Sequence, residues 1–175
     1  PDYIGFIFYP KSKRYVNTFE AEKLKSMLDV SVKAVGVFVD ETDDMICQIA
    51  KRGIIDVIQL HGNESEEDIA RLKKLTKLPV IKAVSVKTSE DILRWKDSAA
   101  DLLLLDNKGG GSGECFDWKM IPKIGKPYFI AGGINVDNIE EALSLDPYGI
   151  DVSSGAEMDG FKDEVLIRQL IGAVR

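Results

Sequence analysis

Residues 34–84 read "AVGVFVDETDDMICQIAKRGIIDVIQLHGNESEEDIARLKKLTKLPVIKAV", and their hydrophobic pattern alternates between two periods. Short β-branched apolar runs are separated by longer stretches in which apolar residues recur at helical spacing. This alternation is typical of strand-helix-strand units that build a parallel sheet. The stretch predicts three strands and two helices, at Val32–Val39, Asp43–Lys51, Asp56–Leu60, Ser65–Leu75 and Pro79–Val84.

The same alternation extends in both directions along the chain. Four further strands are predicted at Asp2–Phe8, Asp101–Leu105, Pro127–Ala131 and Gly149–Val152. The remaining helices are predicted at Thr18–Leu28, Ser89–Trp95, Trp118–Ile121, Val136–Leu143 and Lys162–Ala173. Plausible helix caps are Asn17, Thr42, Thr88, Asp117 and Asn135. Strands that are each followed by a helix, with no long linker, predict one domain over residues 1–175, a TIM-type (β/α)8 barrel.

The length of the chain falls short of a complete barrel. Such a barrel needs at least about 200 residues, and this chain has 175. The shortfall corresponds to about one βα unit, and the abrupt start of the first strand places it at the N-terminus. We therefore expect a barrel that lacks its N-terminal βα unit. Its open sheet edges would favour self-association.

Composition narrows the class of partner. The formal net charge is −6 and no basic block occurs, which argues against nucleic-acid binding and favours a small metabolite. No apolar run approaches the roughly 20 residues that cross a bilayer, and no secretory signal opens the chain. We therefore expect no membrane contact and a cytoplasmic location. Cys47 and Cys115 have neither metal-ligand spacing nor a disulfide framework, so no metal site is predicted.

In barrels of this type the chemistry lies on loops that leave the carboxyl ends of the strands. Arg14 follows the first strand in a loop with Lys11 and Lys13, and its guanidinium suits a carboxylate or a phosphate. A solvated basic turn is the other interpretation, and composition alone favours it. Gln59 and His61 are two residues apart, so both point to one side of their strand. They could contact a ligand, but a structural histidine at a strand end fits equally well.

Asp106 directly follows an apolar strand and precedes a loop that contains Gly109, Gly110, Gly111 and Gly113. A carboxyl group at the end of a buried strand can acquire the raised pKa that a general acid needs. The glycines allow the loop backbone to approach a ligand or to move as a lid. Asp106 could instead cap the turn through its own backbone. The run of glycines exceeds what a turn requires, which favours a functional role.

The last two strands lead into loops rich in glycine and serine. "FIAGGINVDN" contains Gly132 and Gly133, and "IDVSSGAE" contains Ser154 and Gly155. Loops at this place in such barrels often bind phosphate through backbone amides. The two loops together predict a phosphorylated substrate. Asp151, in the last strand, either projects inward or makes a hydrogen bond in the core.

Seven segments resemble, in order, the characteristic segments of phosphoribosylanthranilate isomerase, an enzyme family of the tryptophan pathway. They are "GFIFYPKSKRYV", "VGVFVDE", "IQLHGNE", "VIKAVSV", "LLLLDNKGGGSGECFDW", "AGGINVDNI" and "DVSSGAE". The resemblance implies an Amadori rearrangement, in which the aminoaldose phosphoribosylanthranilate becomes carboxyphenylamino-deoxyribulose phosphate. It also implies that no metal or organic cofactor takes part.

The resemblance also implies roles for single residues. Asp106 matches the general acid that protonates the furanose ring oxygen, and Arg14 would hold the anthranilate carboxylate. The phosphate would be held by backbone amides around Gly132, Gly133, Ser154 and Gly155. Further substrate contacts are expected from Gln59, His61 and Asp151.

The chain departs from the family at the general base. The family's base is a cysteine in a "KICGIT"-like motif at the end of the first strand, and this sequence contains no such motif. We carry that role over to no residue, although Cys115, His61 or Asp151 could act as a substitute. A second hypothesis is an inactive barrel fragment that binds phosphorylated ligands or self-associates. A third is indole-glycerol-phosphate synthase, for which Lys82 is suitably placed, but "LLLLDNKGGGSG" and "YPKSKRYV" fit the isomerase better.

Overall fold

A computed structural model describes residues 1–107 and 115–175 of the chain. These residues form two compact units, each with its own core. The first combines Pro1–Ala83 with Ala99–Asp101, and the second combines Val84–Ser98 with Leu102–Arg175. The expected single domain stays a prediction.

The predicted strands and helices are confirmed at nearly all positions. The parallel strands are β1 (Tyr3–Ile7), β2 (Lys33–Phe38), β3 (Val57–Leu60), β4 (Val80–Val86), β5 (Leu102–Asn107), β6 (Tyr128–Ile130) and β7 (Gly149–Ile150). An antiparallel hairpin follows, formed by β8 (Glu157–Met158) and β9 (Phe161–Lys162). The helices are α1 (Thr18–Ser26), α2 (Asp43–Lys51), α3 (Glu66–Thr76), α4 (Ser89–Leu93), α5 (Ile139–Leu143) and α6 (Glu164–Val174). The predicted helix at 118–121 is only a 3-10 turn, Trp118–Met120.

Helix caps account for most of the helix starts. The Asn17 side chain accepts a hydrogen bond from the N–H of Glu20, whose carboxylate in turn accepts from the Asn17 N–H. Thr42 caps α2 through the N–H of Met45 at 3.4 Å. The prediction for α5 was wrong by one turn, because Asn138 rather than Asn135 precedes the first helical residue. Asn138 makes no side-chain cap, since its amide bonds elsewhere.

In the first unit, β1, β2, β3 and the start of β4 pair in parallel and in chain order. All four residues of β3 are buried, as expected for a parallel strand that is covered on both faces. The helices bury apolar residues at a spacing of three, with Ile46 and Ile49 on α2 and Ile69 and Leu72 on α3. This packing holds the carboxyl ends of the strands at one edge.

In the second unit, β5, β6 and β7 pair in parallel, again in chain order. Leu104 lies opposite Phe129, and both are buried. The short helix α5 contributes the buried Ile139 and Ala142. Because neighbouring parallel strands end at the same edge, the loops that follow β5, β6 and β7 lie beside one another.

Two sequence predictions, on membrane contact and on the glycine-rich loop, are compared with the structure. No helix in the described ranges combines the length and the apolar character that a membrane crossing requires. The glycine-rich loop predicted to act as a lid, with Gly109, Gly110, Gly111 and Gly113, lies outside the described residues.

Candidate active site

In the first unit, the end of β3 carries the predicted pair Gln59 and His61. Nε2 of Gln59 lies 3.0 Å from Nδ1 of His61, so the two side chains meet on one side of the strand. The contact holds the two side chains together at the end of β3. The backbone N–H of His61 donates to the Phe38 carbonyl at 2.8 Å. These contacts hold the imidazole of His61 at the carboxyl end of β3.

Arg14 is half-buried in the loop between β1 and α1, whereas Lys11 and Lys13 are exposed. The loop folds back on its own strand, because the Val16 N–H donates to the Ile7 carbonyl at 3.0 Å. The Arg14 N–H donates to Oγ of a serine two residues earlier at 3.1 Å. These bonds place Arg14 at the carboxyl end of β1, where a site in this fold class is expected.

The interior of the first unit holds an ion pair that the sequence interpretation missed. Nζ of Lys82 lies 2.8 Å from Oε2 of Glu64, and the two side chains are only 3% and 8% exposed. Lys82 also donates to the Gly62 carbonyl at 2.7 Å. The Glu64 carboxylate accepts from the N–H groups of Gly62 and of Asp40 at 2.9 Å. The pair thus joins the segments that follow β2 and β3 to the interior of β4, and its polar groups satisfy one another.

This ion pair bears on the third hypothesis. A catalytic lysine needs an ammonium group that can reach the substrate, but Nζ of Lys82 is buried and bound to Glu64 and to the Gly62 carbonyl. The geometry therefore favours a structural role for Lys82. A lysine inside the apolar run "VIKAV" was the sequence signal, because a buried ammonium requires an acidic partner.

In the second unit, Asp106 lies near the end of β5 and is 8% exposed. Its Oδ1 accepts from the N–H of Asn107 at 2.8 Å, which is the turn-capping contact of the alternative interpretation. Gly132 approaches the same oxygen, because a Cβ added to Gly132 would lie 2.7 Å from Oδ1. Gly132 also has φ +83°, a conformation that side chains rarely adopt. Glycine at this position therefore allows the backbone of the turn to lie close to the Asp106 carboxylate.

The two loops predicted to bind phosphate pack against each other. A Cβ on Gly155 would lie 2.0 Å from the Ile134 carbonyl oxygen and 2.9 Å from Cα of Asn135. Only glycine permits so close an approach of the two backbones. Gly133 has a left-handed conformation, with φ +68°, and follows Gly132 in a sharp turn. The turn after β6 and the segment after β7 are therefore neighbours.

Both loops contain backbone N–H groups that have no hydrogen-bond partner among the described residues. Among residues 1–107 and 115–175, the N–H groups of Gly132, Gly133 and Gly155 donate to no other group of the chain. Both loops are half-buried. Backbone N–H groups that have no partner in the chain can bind an anion without a positively charged side chain.

Asp151 and Cys115 complete the predicted candidates in this unit. Asp151 is exposed, and its N–H donates to the Ile130 carbonyl at 2.9 Å. Cys115 accepts a hydrogen bond from Nδ2 of Asn138 at 3.4 Å. Partial burial raises the pKa of the Cys115 thiol, the charge of Glu141 adds to the rise, and the bond from Asn138 reduces it. A raised pKa keeps the group protonated near neutral pH, which argues against Cys115 as a substitute base.

Among the described residues, no group of three His, Cys, Asp or Glu side chains could hold a metal ion.

Comparison with known proteins agrees with this arrangement. Residues 1–173 match the sequence model of N-(5'phosphoribosyl)anthranilate (PRA) isomerase. The chain is 44% identical over 184 aligned positions to the N-(5'-phosphoribosyl)anthranilate isomerase of Clostridium acetobutylicum, with 100% of the chain and 88% of the relative covered. It is 42% identical to the Bacillus subtilis isomerase over 180 positions, covering 97% of the chain and 83% of the relative.

Solved structures give the same result. The phosphoribosyl anthranilate isomerase of Thermus thermophilus superposes with a TM-score of 0.88 at 33% identity, covering 99% of this chain and 87% of that one. A second isomerase structure holds reduced 1-(o-carboxyphenylamino)-1-deoxyribulose 5-phosphate. It matches with a TM-score of 0.82 at 32% identity, covering 98% of this chain and 86% of that one. The predicted TIM-type fold is confirmed, with seven of its strands in this chain. The chain therefore belongs to the phosphoribosylanthranilate isomerase family.

Proposed function

We propose that Asp106 and the loops after β6 and β7 carry the chemistry and the phosphate binding of this isomerase. Membership of the family makes the chain an enzyme of tryptophan biosynthesis that isomerises phosphoribosylanthranilate. The reaction converts an aminoaldose into an aminoketose by an Amadori rearrangement. Its substrate has an anthranilate carboxylate at one end and a phosphate at the other, so two anion-binding groups are required.

The observation that carries the proposal is the buried carboxylate of Asp106 beside Gly132. The side chain is 8% exposed and lies at the carboxyl end of β5. Gly132 has no side chain that would clash with Oδ1, so the glycine turn after β6 lies against the carboxylate. Asp106 would donate its proton to the furanose ring oxygen, which opens the ring to a Schiff base. The subsequent loss of the C2′ proton gives the enolamine, and we assign its base to no residue.

The phosphate would lie against the turn after β6 and the segment after β7. The free N–H groups of Gly132, Gly133 and Gly155 support this role among the described residues. Ser154 adds a hydroxyl next to them. Backbone donors suit a phosphate because they carry no charge that must be neutralised in the empty site.

In the first unit, Arg14 is proposed to bind the anthranilate carboxylate. A guanidinium can form two parallel hydrogen bonds to a carboxylate. His61 and Gln59, whose side chains lie 3.0 Å apart, are further proposed substrate contacts. Asp151 remains a proposed contact, and its exposure leaves its carboxylate accessible to a ligand.

The test is the isomerisation rate of the purified chain beside its Asp106→Asn variant. Loss of substrate fluorescence follows the reaction. Asparagine keeps the shape and the acceptor but cannot transfer a proton, so we expect turnover to fall by about 10²–10⁴-fold. Phosphate binding should remain, because the backbone donors are untouched. The control is Asp159→Asn, an exposed aspartate in the turn of the β8–β9 hairpin.

Two outcomes would contradict the proposal. Turnover that is equal in Asp106→Asn and in the original chain would remove the acid role. If the variant loses both turnover and phosphate binding, Asp106 has a structural role, as the turn-capping bond to Asn107 suggests.

A cytoplasmic location and self-association through sheet edges are further proposals. Cell fractionation tests the location, and sedimentation tests the self-association.

A further inference from the structure

We propose that Asn138 is a positioning residue that holds the phosphate-binding turn after β6 and ties it to Cys115. The inference rests on the proposed phosphate site. Asn138 stands immediately before α5, where an asparagine would normally cap the helix. It makes no side-chain cap there. Its amide is used for three other contacts.

Each polar atom of the Asn138 amide has a partner. Oδ1 accepts from the N–H of Asn135 at 2.9 Å. Nδ2 donates to the Gly133 carbonyl at 3.1 Å and to Sγ of Cys115 at 3.4 Å. The side chain is half-buried. One amide therefore joins two points of the turn after β6, Gly133 and Asn135, to the side chain of Cys115, which is distant in the sequence.

The contact with Gly133 is the one that bears on phosphate. Gly132 and Gly133 both have positive φ, which leaves the turn dependent on outside contacts for its conformation. Asn138 holds the Gly133 carbonyl and so restrains the turn whose N–H groups, at Gly132 and Gly133, have no partner among the described residues. Asn135 supports the turn less directly, because its Nδ2 reaches the Gly133 carbonyl only at 3.4 Å.

The contact with Cys115 provides a built-in reporter. A bound phosphate would fix the turn, and the fixed turn would hold Nδ2 of Asn138 against Sγ. Phosphate should therefore slow alkylation of Cys115. Cys47 is half-buried on α2 in the other unit and serves as an internal control, because its alkylation should not respond.

The experiment uses the full chain, inorganic phosphate as the probe and iodoacetamide as the alkylating reagent. Phosphate affinity is measured by ³¹P NMR titration, and alkylation at each cysteine is measured by peptide mass spectrometry. In Asn138→Ala we expect phosphate to bind about tenfold more weakly, the effect of roughly one lost hydrogen bond. The alkylation of Cys115 should no longer depend on phosphate. The matched control is Ser144→Ala, which removes a hydroxyl bonded to the Glu141 carbonyl at the other end of α5.

The outcomes separate the inference from the function on which it rests. If the original chain binds no phosphate, the proposed phosphate site is wrong and the inference falls with it. If the original chain binds phosphate but Asn138→Ala binds it equally well, the positioning role alone is overturned, even if the melting temperature falls. Should Asn138→Ala fail to fold, the NMR signals of the Asn138 side-chain amide in the original chain test the positioning role. They must shift when phosphate is added to the original chain, and unchanged signals reject the proposal.

Discussion

At the scale of single residues, the site depends on neighbours that are distant in the sequence. The turn after β6 can lie against Oδ1 of Asp106 because residue 132 has no side chain. Lys82 is tolerated in a buried strand because the Glu64 carboxylate accepts a hydrogen bond from its ammonium group at 2.8 Å. In both cases the surroundings of a charged side chain depend on a second residue that is distant in the sequence and that folding brings close.

Arg14→Ala should mainly weaken substrate binding. A hydrogen bond to a charged partner contributes more than a neutral one, so the KM for phosphoribosylanthranilate should rise by about tenfold or more. The kcat should change little, because the guanidinium does not transfer a proton. Steady-state kinetics measures both, with Lys11→Ala in the same loop as the control. An unchanged KM would reject the role as a carboxylate clamp.

Lys82→Met should destabilise the chain strongly. Removing one partner of a buried ion pair leaves the Glu64 carboxylate without its ammonium, which typically costs about 3–5 kcal/mol. Urea denaturation measures the free energy of unfolding. Adding Glu64→Gln should recover part of the loss, because the amide keeps an acceptor for the Gly62 N–H without a buried charge. A single variant as stable as the original chain would contradict this account.

At the scale of elements, the same clamp is used twice in the first unit. Asp56, just before β3, accepts from the Ala34 N–H of β2 at 2.7 Å and pairs with Lys25 of α1. Asp101, just before β5, accepts from the Val80 N–H of β4 at 2.8 Å and pairs with a lysine of α3. Each aspartate thus joins a strand to the preceding strand and to a helix.

The Asp56 clamp predicts a pH-dependent stability. Partial burial tends to raise the pKa of Asp56, but the hydrogen bonds from Lys25 and Ala34 and the charges of Lys25 and Lys33 outweigh it and lower the pKa. A lowered pKa in the folded chain means that the contribution is complete above the unfolded value of about 3.9. It is lost as the pH falls through the lower folded value.

Asp56→Asn tests this dependence by urea denaturation at several pH values. The variant should be less stable than the original chain near pH 6, and the difference should shrink as the pH falls below about 4. Asp97→Asn, whose side chain is 88% exposed, is the control. A difference that stays constant across this range would rule out the ionised carboxylate as its source.

Local patterns were sufficient to predict most elements. The strands were found within a few residues, because a buried parallel strand needs a continuous apolar run. The start of α5 was missed because Asn135 and Asn138 are both good capping residues, and contacts with Gly133 and Cys115 decide how Asn138 is used. The helix predicted from Trp118 is only one 3-10 turn, which the Asp117 side chain caps at the Lys119 N–H.

At the scale of the whole molecule, exposed apolar groups accompany the edge strand β1. This strand is the first in the sheet order and pairs with β2. On and just after α1, the side chains of Phe19 and Met27 are each 74% exposed. Edge strands and exposed apolar side chains are features through which copies of a chain can associate, and they support the proposed self-association.

The double variant Phe19→Ser with Met27→Ser should reduce self-association. Each substitution removes exposed apolar surface without disturbing the buried core of the first unit. Sedimentation velocity at several concentrations measures the effect, with the exposed Val174→Ser on α6 as the control. A chain that is monomeric before any substitution would contradict the proposed association.

The sequence by itself determined the order of strands and helices, the fold class and the loops that carry Asp106, Arg14 and the glycines. These features follow from hydrophobic period and from the conformational preferences of nearby residues, which act over a few positions of the chain. Only the tertiary structure decided the partners of Lys82 and of Asn138. Those contacts join segments about 20 residues apart, Glu64 with Lys82 and Cys115 with Asn138, so no local pattern records them. Folding creates them when neighbouring parallel strands bring their following loops to one edge.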